Sequence, residues 1–337
     1  MGSAMNLLDV AQVARYLECC GLIGPNSRVT VEPLSGGVSS DVALATCGSR
    51  RWVLKQALPK LKVAADWRAD VRRSTVERIA LEEVARIASG SVPRVECGDD
   101  GSGVLVMTFV DGPVWKSELL EGRTDGRTAQ ALGQFLGRVH QDSGESLDRL
   151  DMFADKSLFY QLRIAPYFQV LYDRYPVPQE RALREIVDFL MQSAAVLVHG
   201  DFSPKNVIVP EGDHNPIVLD WEVAHLGHPA FDLAFMMHHL WLKAIFRKSP
   251  DLYEELVQTF YDAYNTASCM VPANLEVMCT TGALMLARVD GKSPVEYLGD
   301  VERRTARRIG SRLVVGEAMA VADVAMVVRE EMGKSGD

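Results

Sequence analysis

Between Leu197 and Glu222 the chain reads Leu197-Val198-His199-Gly200-Asp201-Phe202-Ser203-Pro204-Lys205-Asn206-Val207-Ile208-Val209, and then Ile217-Val218-Leu219-Asp220-Trp221-Glu222. Two carboxylates and an amide are set at the ends of short apolar runs. Such runs, bounded by turn residues, read as strands. Any fold for this chain therefore has to deliver Asp201, Asn206 and Asp220 to the polar ends of buried segments.

These residue types suit phosphoryl transfer. The spacing Asp201-x-x-x-x-Asn206 is that of a kinase catalytic loop, in which the Asp accepts the hydroxyl proton and the Asn binds magnesium. Magnesium is a hard cation that takes carboxylate and amide oxygens along with phosphate and water, and Asn206 and Asp220 fit that role. The reaction needs little covalent help from protein, so Asp201 as the orienting carboxylate supplies most of what remains.

With 337 residues, 47 % of them hydrophobic, the chain can bury a large core. Its formal net charge of -9 argues against nucleic acid as a partner. The six cysteines, Cys19, Cys20, Cys47, Cys97, Cys269 and Cys279, contain no C-x-x-C pair and read as reduced thiols of a cytoplasmic protein. No signal peptide is evident, and Met1-Gly2-Ser3-Ala4-Met5 reads as an expression remnant ahead of a second start. The late apolar stretch Leu313 to Val328, interrupted by Glu317 and Asp323, is too short and too charged for a membrane span and reads as one packed terminal helix.

Short runs at Val29-Thr30-Val31, Val42 to Thr46 and Arg51 to Lys55 predict an antiparallel meander. Val76, Ile79, Ala80, Val84 and Ile87 recur at helical spacing and predict a helix ending near Ser89-Gly90. Pro93-Arg94-Val95 and Val104 to Val110 predict two more strands around an Asp99-Asp100-Gly101 turn, and from about Thr128 helical periodicity dominates. These readings place an N-terminal region at 1–110, a mainly helical region at 111–332 and a tail at 333–337.

His199-Gly200-Asp201 through Asn206, Asp220-Trp221-Glu222 and Pro229-Ala230-Phe231-Asp232-Leu233-Ala234 together resemble the aminoglycoside phosphotransferase and choline kinase family. The resemblance spans roughly residues 30 to 300. It implies an α+β, bilobal protein-kinase-like fold: a small N-terminal antiparallel β lobe with one main helix, a hinge, and a larger helical C-terminal lobe. It further implies ATP or GTP with Mg2+, and a small-molecule hydroxyl acceptor, with no nucleic acid and no membrane as partner. Oligomeric state stays open.

Within that resemblance, Lys55 of Val53-Leu54-Lys55 takes the place of the strand lysine on the triphosphate. Glu77 is placed to hold it, although Glu82 and Glu83 could face the same way. Leu34 to Asp41 would be the turn over the phosphates, with Ser35, Gly36, Gly37 and Ser39 bringing backbone N–H groups to anionic oxygens; the same glycines also fit an ordinary hairpin. Met107, Thr108, Phe109 and Val110 would meet the adenine ring before the hinge, and a plain buried strand fits them equally. His140 and Asp232 read as scaffolding, Asp232 bracing the catalytic loop.

Lys55-Gln56-Ala57-Leu58-Pro59 and Val92-Pro93-Arg94-Val95 are similar to methylthioribose kinases, whereas Phe202-Ser203-Pro204-Lys205-Asn206 is closer to antibiotic kinases, with Ser203 where many relatives have His. Leu286 to Leu298 is similar to a motif of uncharacterised family members and would shape the acceptor end; it reads equally as a turn between two helices. The leading expectation is a kinase for a sugar-like or aminoglycoside-type acceptor. Alternatives are a methylthioribose- or choline-type metabolite kinase, or a nucleotide-binding regulatory protein on the same fold.

Overall fold

The computed structural model describes residues 5–34, 39–62, 67–99, 101, 103–212 and 215–334. Two compact units emerge: Met1–Asp111 with Ile217–Val223, and Gly112–Pro216 with Ala224–Asp337.

The first unit is built on a five-stranded antiparallel sheet of β1 (Thr30–Pro33), β2 (Ser40–Cys47), β3 (Arg50–Ala57), β4 (Val95–Asp99) and β5 (Val104–Thr108), in the order β1-β2-β3-β5-β4. Side chains alternate across a strand, so Trp52 and Leu54 of β3 join Ala43, Ala45, Val104 and Val106 in one buried cluster. That cluster is covered by α1 (Val10–Cys19), through Val13 and Leu17. Asp9 caps α1, accepting from the N–H groups of Ala11 and Gln12. The sequence reading had no element here.

The opposite face of the sheet receives α2 (Arg73–Ile87). Its buried residues Ser74, Glu77, Ala80, Leu81 and Val84 fall at helical spacing. Cys20, just past α1, and Cys97 of β4 form a disulfide. This corrects the expectation of six thiols: the partners are 77 residues apart and meet only because the sheet brings β4 to them, so no spacing motif marks them.

The second unit is helical. Here α3 (Trp115–Leu120) and α4 (Gly126–Gly144) precede α5 (Ser157–Phe159), which runs into a π-helical segment, Tyr160–Phe168, with Pro166 inside it. Next come α6 (Val177–Gln192), the paired antiparallel strands Val196–Val198 and His225–Gly227, and α7 (Ala230–Arg247), buried from Ala230 to Ile245. The remaining helices are α8 (Pro250–Ala267), α9 (Asn274–Asp290), α10 (Asp300–Leu313) and α11 (Val321–Gly333).

Glycines let α4 close on α8: a Cβ at Gly133 would sit 2.2 Å from the Phe260 carbonyl oxygen. The single terminal helix expected from Leu313 to Val328 is instead a break between α10 and α11, where Gly316 adopts φ +86 and turns the chain. Among the described residues, no helix is long and apolar enough to cross a membrane.

Candidate active site

In the first unit, β3 carries Lys55 on the face toward α2. Its ammonium lies 2.8 Å from Glu77 Oε2, pairs closely with Asp220, and is 3.8 Å from Glu222 Oε2. Helical spacing settles which glutamate pairs with it: Glu77 is buried, whereas Glu82 and Glu83 pair with Arg78 and Arg86 on the outer side of α2.

Asp220 follows the short strand Ile217–Val218, which is pinned by a hydrogen bond from the Val218 N–H to the Ser91 carbonyl. Its φ of +67 lies in the left-handed region, which Asp tolerates better than most residues with a Cβ.

Arg73, fully buried on α2, was not foreseen. It donates to Glu222 at 3.2 Å and to the carbonyls of Leu58 (2.6 Å), Ala69 (3.2 Å), Asp70 (3.0 Å) and Ser39. Ser39 is thus fixed by its backbone, while Ser35, Gly36 and Gly37 lie outside the described residues.

Ligand oxygens of Glu77, Asp220 and Glu222 lie within 4.8 Å of one another. Burial would drive the Lys55 amine down, but Asp220, Glu77 and Glu222 together hold it well above its ordinary value. For Glu77, burial and then the carboxylates Asp220 and Glu222 outweigh Lys55 and push its carboxyl up. Three carboxylates against Lys55 and Arg73 leave the cluster short of positive charge. This all-oxygen donor set fits a hard divalent cation.

The residues expected at the adenine ring lie at the end of β5. Met107 is buried opposite Val53 and Val95. The N–H groups of Thr108 and Phe109 donate to the carbonyls of Arg94 and Arg51, so both are used within the unit. The Arg51 guanidinium stacks on Phe109 at 4.4 Å, and Val110 is half-buried.

In the second unit, strand Val196–Val198 delivers His199-Gly200-Asp201. At the start of α7, the Asp232 carboxylate accepts from the N–H groups of His199 (2.7 Å) and Gly200 (2.9 Å) and contacts His140 Nε2 at 3.3 Å, while His140 Nδ1 meets Tyr264 Oη at 3.0 Å. Burial would raise the Asp232 carboxyl, but the bonds from His140 and His199 hold it below its usual range. The bracing role read for Asp232 is what this geometry provides.

Three donors converge on Asp201 Oδ2: Asn206 Nδ2 at 3.0 Å, Arg163 Nη2 at 3.1 Å and Lys205 Nζ at 2.8 Å. Asn206 Nδ2 also bonds the Asp201 carbonyl at 3.0 Å, which turns its amide nitrogen toward Asp201. Arg163 Nε donates to the Gly200 carbonyl at 2.6 Å. Arg163 was missed because it rises from the π-helical segment, whose offset from the 3.6-residue period hides it from pattern reading. Ser203 Oγ is buried and finds no partner among the described residues.

The sheet order, with the buried Lys55–Glu77 pair between β3 and α2 in one unit and the helices of the other, is that of a protein-kinase-like fold. Consistent with that, the solved spectinomycin phosphotransferase, in complex with ADP and spectinomycin, superimposes with a TM-score of 0.52 over 94 % of this chain and 98 % of that one, at 13 % identity. The sequence signature of the phosphotransferase enzyme family matches residues 30–274, and the chain belongs to that family.

Among curated relatives, methylthioribose kinase of Exiguobacterium sibiricum is 34 % identical over 138 residues, covering 40 % of this chain and 34 % of the relative. Methylthioribose kinase of Pectobacterium carotovorum is 25 % identical over 262 residues, covering 69 % and 64 %. The chain thus spans less than two thirds of the length of these relatives.

Proposed function

We propose that the protein transfers the γ-phosphoryl group of ATP or GTP to a hydroxyl of a small molecule. The observation that carries this reading is the buried Lys55, clamped between Glu77 and Asp220. A lysine so surrounded keeps its charge and a fixed position, as a ligand of triphosphate oxygens must. Ser35, Gly36, Gly37 and Ser39 are assigned to the phosphates, and Met107, Thr108, Phe109 and Val110 to the base.

Asp220 and Asn206 are the residues that would hold Mg2+, which when bound neutralises phosphate charge. Asp201 orients the acceptor hydroxyl and takes its proton as the oxygen bonds to the γ-phosphorus and the bond to the nucleoside diphosphate breaks. Arg163, Lys205 and Asn206 hold the Asp201 carboxylate in one rotamer, so little reorganisation is left for the reaction itself. The methylthioribose kinases among the relatives support a sugar-like acceptor.

The test is Asp201→Asn, assayed by magnesium-dependent ADP or GDP release against a panel of sugars, sugar phosphates, sugar acids, aminoglycosides and amino alcohols, with nucleotide binding by calorimetry alongside. Turnover is expected to fall by about 10²–10⁴-fold with nucleotide affinity kept. Near-normal turnover in the variant would refute the assignment.

A further inference from the structure

Within the second unit, the side chains near Asp201 are strongly cationic, in a chain whose overall charge is -9. Arg163 bonds Asp201 and lies 5.6 Å from the centres of both the Tyr167 and Phe235 rings. Arg288 of α9 donates to Tyr167 Oη at 3.3 Å and Ser293 Oγ at 2.8 Å, and lies 5.8 Å from the Tyr167 ring centre. Lys243 of α7 and Lys116 of α3 lie 5.5 and 6.0 Å from the Tyr297 ring.

Carboxylates do not balance this set. Asp201 faces Arg163, and Glu296 pairs with Lys116. Arg288 and Lys243 have no carboxylate partner among the described residues. Lys243 is about 1 % exposed and, among the described residues, donates only to the His239 carbonyl, at 3.2 Å. Such an ammonium is costly to bury without a counter-charge.

Polar atoms in the same place are also unmet. Arg288 Nε, Tyr297 Oη and the fully buried His238 Nε2 find no hydrogen-bond partner among the described residues. Natural proteins pair almost all such groups, so each of these atoms has a hydrogen bond left to give or accept.

We propose that the acceptor is an anionic hydroxyl compound, and that Arg288 and Lys243 bind its oxyanion group, a phosphate or a carboxylate. This rests on the reading of Asp201 as the residue that receives the acceptor. A guanidinium with a spare N–H suits such an oxyanion, and Lys243 supplies the second charge once the oxyanion's own charge favours its protonation. Polycationic acceptors meet repulsion here. Quaternary amines find the Tyr167, Phe235 and Tyr297 rings already attended by Arg163, Arg288, Lys116 and Lys243. The Leu286 to Leu298 segment, which supplies Arg288, Ser293 and Tyr297, acquires a role in the same step.

The experiment measures the thermal stabilisation of the protein by D-ribose 5-phosphate, D-ribonate, inorganic phosphate, D-ribose and kanamycin, each with and without saturating AMPPNP and Mg2+. At least one oxyanion should bind with nucleotide present, and more tightly than ribose or kanamycin; the two sugar acids distinguish phosphate from carboxylate. Arg288→Gln and Lys243→Met should each weaken that oxyanion about tenfold or more, the loss of one charge-assisted contact, and Arg288→Lys should recover part of it.

No stabilisation by any oxyanion overturns the proposal, as does tighter binding of ribose or kanamycin. Oxyanion binding unchanged in both variants, or abolished by AMPPNP, overturns it too. A protein that binds oxyanions but not AMPPNP would overturn the phosphotransferase reading while leaving this anion site standing.

Discussion

Replacing Lys243 by Met should stabilise the protein, and by an amount set by pH. Burial, then Lys116 and Arg288, outweigh Glu296 and pull the Lys243 ammonium from 10.5 down to about 7. Above pH 10.5 neither the folded nor the unfolded chain carries the proton. Between 10.5 and 7 the unfolded chain binds a proton that the folded chain does not, so stability falls as pH falls. Below 7 both states carry it and the penalty is full.

At about 1.4 kcal/mol for each pH unit, the cost is about 4 kcal/mol at pH 7 and about 2 kcal/mol at pH 9. Lys→Met nearly conserves length, so a repacking loss of about 1 kcal/mol leaves a net gain of about 3 kcal/mol at pH 7 and about 1 kcal/mol at pH 9. The neighbouring His238 and His239 are driven well below their usual range by burial, and Tyr297 well above its own, so none of them titrates across this window. Urea unfolding of the ligand-free protein followed by circular dichroism at the two pH values reads the difference. A variant no more stable than wild type at pH 7, or a gap equal at both pH values, would show that Lys243 is not held at a cost.

Asp232→Ala leaves the N–H groups of His199 and Gly200 unpaired in the core and should destabilise the protein by about 3–5 kcal/mol, measured by urea unfolding; a loss under about 1 kcal/mol would mean the loop does not depend on that carboxylate. Gly133→Ala drives a methyl against the Phe260 carbonyl and the Ala263 Cβ, at 2.2 and 2.9 Å, and should cost about 2 kcal/mol by overpacking α4 against α8, seen as a lowered Tm; an unchanged Tm would mean that the helices separate freely.

The meander and α2 were legible because one face of a sheet and one stripe of a helix carry their own periods. Glu77 shows how far that goes. The stripe read from Val76, Ile79, Ala80, Val84 and Ile87 left Glu82 and Glu83 open beside it, and the buried stripe of Glu77, Ala80, Leu81 and Val84 decides between them, with Val76, Ile79 and Ile87 only half-buried. The α1 signal was equally present, in Asp9 followed by Val13 and Leu17, and went unread. Other features have no local signature. Arg73 looks like a surface charge on a helix until the Ser39 and Leu58 carbonyls and Glu222 close around it. Arg163 depends on a π-helical offset, and the Cys20–Cys97 bridge on strand order. Asp201, Asn206 and Asp220 stood out as candidates because their spacing is a recognisable pattern; Lys205 and Asn206 reach Asp201 from the same loop, whereas Arg163, Asp232 and Lys55 come from distant chain and are set by packing.

That packing leaves opposite charge imbalances in the two units. In the first, Glu77, Asp220 and Glu222 outnumber Lys55 and Arg73. In the second, Arg163, Lys205, Arg288, Lys243 and Lys116 outnumber Asp201 and Glu296. Stability alone would favour neither, since buried unpaired charge is costly and apolar replacements of similar shape are often more stable. Under the proposals made above, a divalent cation would relieve the first imbalance and an oxyanion the second, and the stability given up in the free protein would be returned as binding energy.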